Sequence, residues 1–113
     1  MAVIDLQSVA FDGGKSVHLW ETVTGSDTGE PLDLGGLASL AVAVQMTGTF
    51  GDTVTMQGSI DGTNYATLKD VQGSDAALSA AGIIEIATAV RYIRPSAGAS
   101  ITDVDVHICA RRG

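Results

Sequence analysis

The chain has 113 residues, thirteen acidic and six basic side chains and a net charge of -7. That length fits one domain able to bury its own core, and the acidity repels phosphate backbones, which excludes nucleic-acid binding. Cys109 is the sole cysteine, so no internal disulfide forms. No stretch reaches the ~18 apolar residues of a spanning helix.

Two further features set the frame. The N-terminus has no basic region followed by an unbroken apolar run, so a signal peptide is not expected. Only 17% of residues are charged although a small domain has much surface to cover, against a usual quarter or so. Part of the surface is therefore expected to be buried against partners.

In chain order, Val3 to Phe11 (VIDLQSVAF) is apolar with little charge. It reads as a first strand, or as an arm within residues 1–12 that orders on a partner. Asp12-Gly-Gly breaks it. Val17 to Thr24 (VHLWETVT) is a strand whose apolar phase is Val17, Leu19 and Val23, which leaves Trp20 facing out with His18 unless a bulge returns it to the core. Exposed, Trp20 would be a partner anchor.

After turns at Gly25-Ser-Asp and Gly35-Gly, Ala38 to Thr47 alternates with Leu40, Val42, Val44 and Met46 on one face. Phe50-Gly-Asp leads to Thr53 to Ile60, with Val54, Met56 and Ile60 inward. Asp61-Gly62 is the pair that supplies positive φ in a tight hairpin, and Asn64 adopts left-handed geometry or closes an Asx turn. A calcium loop needs several carboxylates at alternating positions, and here only Asp61 is available. The stretch reads as a structural turn.

Asn64 to Leu68, Ile83 to Ala87 and Arg91 to Pro95 are further strands, the last closed by Pro95, with its core face open between Arg91/Ile93 and Tyr92/Arg94. Ser74 to Gly82 (SDAALSAAG) is a loop or a single turn. Asp103 to Ala110 sends Val104, Val106 and Ile108 inward. Short alternating strands between Gly/Asp turns make the chain all-β, one domain spanning 1–113, an antiparallel sandwich.

Gly58 to Tyr65 (GSIDGTNY), followed by Arg91 to Pro95 (RYIRP), resembles the S-x-D-G-x-x-W and A-R-Y-V-R strands of discoidin-like jelly-roll sandwiches, with Tyr65 at the aromatic position. The same layout resembles tailed-phage head decoration, or cement, proteins. That resemblance implies a jelly-roll-like fold and a virion protein that sits on the capsid, made in the host cytoplasm. The implied partners are the major capsid protein and further copies of the chain in a dimer or trimer. Candidate contacts are Val3, Ile4, Leu6, Phe11, Trp20 and the basic tail at 111–113, Arg111 and Arg112. The discoidin likeness also leaves a carbohydrate-binding module of a phage appendage as the alternative, with a glycan as ligand, although only 4% of residues are aromatic.

Catalytic chemistry has little to stand on. Asp105, His107 and Cys109 share one strand face, with His18 as a distant fourth group, but their spacing fits no zinc motif. Nothing resembles a nucleophile elbow or a phosphate loop. No cofactor, no metal and no enzymatic activity are expected.

Overall fold

A computed structural model describes residues 3–12, 15–34, 40–87 and 90–112, and among these the side chains of all but 10–12, 15, 16, 40, 41, 111 and 112. Every regular element among them is a strand: β1 (Val3–Ile4), β2 (Leu6–Asp12), β3 (Lys15–Val23), β4 (Thr28–Gly29), β5 (Leu32–Asp33) and β6 (Leu40–Thr49), then β7 (Val54–Ser59), β8 (Ala66–Thr67), β9 (Ala77–Leu78), β10 (Gly82–Ile86), β11 (Tyr92–Ala97) and β12 (Asp103–Arg112). They form two sheets. The first runs β1-β4-β11-β7-β8, with β5 added to β11 and β9 to β7; the second runs β10-β6-β12-β3-β2. The chain is an all-β sandwich.

The alternation that marks β6, β7 and β12 in the sequence is the alternation that fills the core. Val44, Met46, Val54, Met56, Val104, Val106 and Ile108 have no exposed surface, and the core between the sheets is built mainly from them and Trp20. Burying one such aliphatic side chain stabilises by about 1.5–3 kcal/mol. The second sheet owes its regularity to β12, which pairs with β6 over all ten of its residues and with β3 on its other side.

The β3 segment is where the expected phase fails. On β12, Val104 and Val106 face Val23 and Trp20 of β3, so three residue steps on β3 oppose two on β12. The extra residue is a β-bulge, and Thr22 takes it up with φ +58°. Before the bulge His18 and Trp20 point inward; after it Val23 does. Val17 and Leu19, the expected apolar phase, lie on the outer side and are half-buried. Trp20 is 0% exposed, so it is a core residue and not a partner contact.

The indole is seated by a neighbouring turn. Its Nε1 donates to the Glu30 carbonyl at 2.8 Å. Gly29 makes room, since a Cβ there would come within 2.5 Å of the indole nitrogen and of Pro95 Cδ.

In β11 the inward residues are Ile93, Pro95 and Ala97, so Tyr92 and Arg94 face out. Pro95 does not end the strand as expected. It pairs with Met56, whose own N–H and C=O engage Ala76 and Leu68. The proline nitrogen therefore faces the gap between β4 and β5, where no ladder partner is required. Ile60 also departs from its expected inward phase. It lies just beyond β7, where the chain turns, and is 76% exposed.

The N-terminal segment is ordered into both sheets. Val3–Ile4 runs parallel to β4, and after Asp5 the chain pairs with β3 in the other sheet. Ser74 to Gly82 contains no helix; it contributes the two residues of β9 and, with Gly82, the start of β10.

Candidate functional site

The two stretches that stood out in the sequence meet at one end of the first sheet. Asp61 lies in the connection between β7 and β8, which pair through Gln57–Thr67 and Gly58–Ala66. The last ladder pair thus encloses seven residues, 59–65, of which Ser59 still belongs to β7, wider than the tight hairpin expected. The Asp61 carboxylate organises it. Oδ1 accepts from the backbone N–H of Thr63 and Asn64 and from the Ser59 hydroxyl, and Oδ2 accepts from the Asn64 amide. The Asn64 and Thr63 backbone donors, then the Asn64 and Ser59 side chains, hold this carboxyl well below the usual carboxylate range.

Gly62 has φ +79°, the left-handed conformation expected of it, and it sits over the Tyr92 ring, which a Cβ would approach to 3.1 Å. Asn64 is not left-handed; its part is the donated amide. All donors to Asp61 are inside the loop, so the carboxylate is spent on the turn.

Beside the loop, the outer face of the first sheet carries two arginine–tyrosine pairs. The Arg94 guanidinium stacks 3.9 Å from the Tyr65 ring centroid while its Nε donates to Gln57 Oε1 at 3.1 Å. Arg91 lies 5.2 Å from the Tyr92 centroid and pairs with Asp33 at 3.4 Å. That hydrogen bond to Asp33 raises the arginine pKa above its ordinary value. This face is covered by its own side chains. An open cleft of about 520 Å³ flanks the loop, lined by Gly58, Ile60, Ala66, Leu68 and Val90, with Asp61 and Asn64 among its polar groups.

The outer face of the second sheet is different. Register places Gln7, Leu19, His107, Gln45 and Ile83 in one row, one residue per strand. The next row holds Val17, Cys109, Ala43 and Glu85. Exposed Val9 and Ile83, 56% and 65% accessible, lie on the opposite edge strands β2 and β10. His107 has its Nδ1 buried with no hydrogen-bond partner.

Asp105, His107 and Cys109 do share this face, as expected. Asp105 Oδ1 accepts from the Thr22 N–H at 2.9 Å, so it holds the β3 bulge. His18 is on the inner side of its sheet, 8% exposed, with Ser8 Oγ 3.4 Å from its Nδ1; burial lowers its pKa. No group of three His, Cys, Asp or Glu residues is placed to hold a metal ion among the described residues.

The other expected contact residues are scattered. Val3 is 66% exposed, while Ile4 and Leu6 pack against the core, which argues against a free arm. Phe11, Arg111 and Arg112 lie on β2 and β12, with side chains outside the described residues. Leu19, Val17, Gln45 and Ile83 were not anticipated as surface residues of one face. The signal for them was present in β3: once Trp20 is inside, Leu19 must be outside.

Known proteins are matched through the fold and not through sequence. No protein-family model matches the chain, and no curated protein matches it in sequence. The crystal structure of the SPBc2 prophage-derived protein YomS is similar over 90% of this chain and 98% of that one, with a TM-score of 0.66 and 10% identity. A cupin 2 domain-containing protein from Halorhodospira halophila is similar over 96% of this chain and 63% of its own, with a TM-score of 0.51 and 8% identity. An RmlC-like cupin with a double-stranded β-helix fold from Methanocaldococcus jannaschii matches 95% of this chain and 77% of its own, with a TM-score of 0.50 and 6% identity. The architecture is therefore jelly-roll-like, and it occurs at nearly the same length in a prophage-derived protein.

Proposed function

We propose that the protein is a non-enzymatic structural component of a tailed-phage virion, one that binds on or between major capsid subunits and stabilises the shell. The observation that carries this reading is the likeness to the prophage-derived YomS, which spans nine-tenths of this chain and nearly all of that one. Three features support it. The core is apolar, the Asp61 loop is satisfied internally, and the surface has few charges for its size. Such a module acts by mass action: binding the assembled lattice and not its free subunits shifts assembly toward the lattice in proportion to occupancy.

The test is co-sedimentation with heads assembled from the major capsid protein of the same genome. Binding that saturates at a fixed ratio per capsid subunit, with a raised melting temperature of the heads, is expected. Protein that stays at the top of the gradient at all ratios sinks the capsid reading.

Glycan binding is the second reading, favoured by the Tyr65 and Tyr92 rings on the outer face of the first sheet beside Arg94. It requires glycan-array signal that Tyr65→Ala abolishes. Trp20, buried, takes no part in it.

A further inference from the structure

We infer that the outer face of the second sheet is a self-association surface, which takes a second copy of this chain in a two-fold, face-to-face dimer. Area is the first argument. Five strands about 4.8 Å apart and five to ten residues long, at about 3.3 Å each, present a face of roughly 650 Å². That falls within the range each partner contributes to a standard stable interface.

Composition is the second. Both sheets have an outward face, but the first covers its own with the Arg94–Tyr65 and Arg91–Tyr92–Asp33 contacts. The second presents half-buried Leu19, Val17, Cys109 and Ala43 beside exposed Gln45, with no ring or ion-pair contact across them among the described residues. Its carboxylates lie off this centre, Glu85 on the edge strand β10 and Glu21, Asp103 and Asp105 together toward one end of β3 and β12.

Self-complementarity selects the occupant. β12 is the middle strand of the five, with β10 and β2 at the edges. A two-fold axis along β12 lays β12 on β12 and β10 of each copy over β2 of the other. Exposed Ile83 of one copy then meets the Gln7–Val9 segment of the second, and the reciprocal contact follows by symmetry. The sheets stack at about 10 Å, as in a sandwich. The inference does not rest on the capsid reading: it is read on the isolated chain, and either can fail alone.

The experiment is light scattering behind size-exclusion chromatography, from about 5 to 200 μM protein in low and high salt. Wild type is expected at twice the 11.5 kDa chain mass, with dimerisation strengthening in salt because both copies carry the same net charge. Gln45→Lys and Leu19→Lys are expected to weaken it at least tenfold while retaining cooperative thermal unfolding. Ile60→Lys, which replaces an exposed apolar side chain beyond β7 of the first sheet, is expected to leave it unchanged. If Leu19→Lys does not fold, the exposed Gln45 position decides. Maleimide labelling of Cys109, the sole thiol, is expected to slow as the dimer forms. A monomer throughout, a trimer, a dimer indifferent to Gln45→Lys, or Cys109 labelling unaffected by dimerisation each overturns the assignment.

Discussion

Trp20 is the largest fully buried side chain among the described residues. Truncation to alanine empties the site of a fully buried indole, and changes of that kind cost about 3–5 kcal/mol. Trp20→Phe keeps most of the packing but strands the Glu30 carbonyl that now accepts from Nε1; an unpaired acceptor of this sort costs about 1–3 kcal/mol. The alanine variant is expected to be unfolded or nearly so, and the phenylalanine variant folded with a lower Tm. Wild-type emission is expected to be blue-shifted and insensitive to iodide; red-shifted, quenchable emission would contradict the buried placement.

Two titratable residues make acid sensitivity separable. His18 has its pKa lowered by burial from 6.5, so the folded state resists a proton that the unfolded state accepts. Its contribution is whole above pH 6.5 and erodes as the pH falls from there through the folded value. Asp61 is also lowered, by its hydrogen bonds, from an ordinary 3.8. Its contribution is whole above that pH and is lost only as the pH falls further. Thermal melts across pH should therefore show His18→Gln flattening the loss that begins below about pH 6.5, and Asp61→Asn lowering the neutral plateau while flattening the strongly acidic limb. Identical profiles for wild type and His18→Gln would show that the imidazole is not desolvated.

At the level of the strand, the β3 bulge is the decisive irregularity. Thr22, β-branched, sits at φ +58°, a conformation costing roughly 1–2 kcal/mol for such a residue. The Asp105 carboxylate compensates by accepting its N–H. Thr22→Gly relieves the strain and is expected to raise Tm by a few degrees, since about 1 kcal/mol moves Tm by roughly 4 °C at this size. Asp105→Ala is expected to lower it, by leaving the bulge amide to water. A neutral Thr22→Gly would mean that the bulge is not strained.

The same bulge marks the limit of what alternation reveals. β6, β7 and β12 were legible because each keeps a period of two for several residues, and Val104, Val106 and Ile108 had only one apolar phase to offer. β3 was not, because its apolar letters fall in both phases: Val17 and Leu19 outside, Trp20 and Val23 inside. The Asp61 turn was legible from Asp-Gly, but the loop's width was not, since the Ser59 and Asn64 donors that widen it are equally common in tight turns. The crossing of the N-terminal segment between sheets at Asp5 leaves no local mark at all, because only tertiary pairing with β4 and β3 determines it.

For the whole molecule, net charge distinguishes the two contacts proposed for it. Each chain carries -7, so two copies repel until salt shortens the screening length, about 10 Å at 0.1 M. A capsid surface that attracts the same chain must be locally basic, and salt weakens that attraction. The signs are opposite. Raising sodium chloride from about 0.05 to 0.5 M, across which the screening length falls severalfold, is therefore expected to release protein from heads while leaving, or strengthening, the dimer in the released fraction. Co-sedimentation and light scattering on the same samples read both. Release together with dissociation would mean that one charge-driven surface serves both contacts. The apolar centre of the face across β10, β6, β12, β3 and β2 would then be idle, and the basic partner would have to be sought against its carboxylates, Glu21, Glu85 and Asp103.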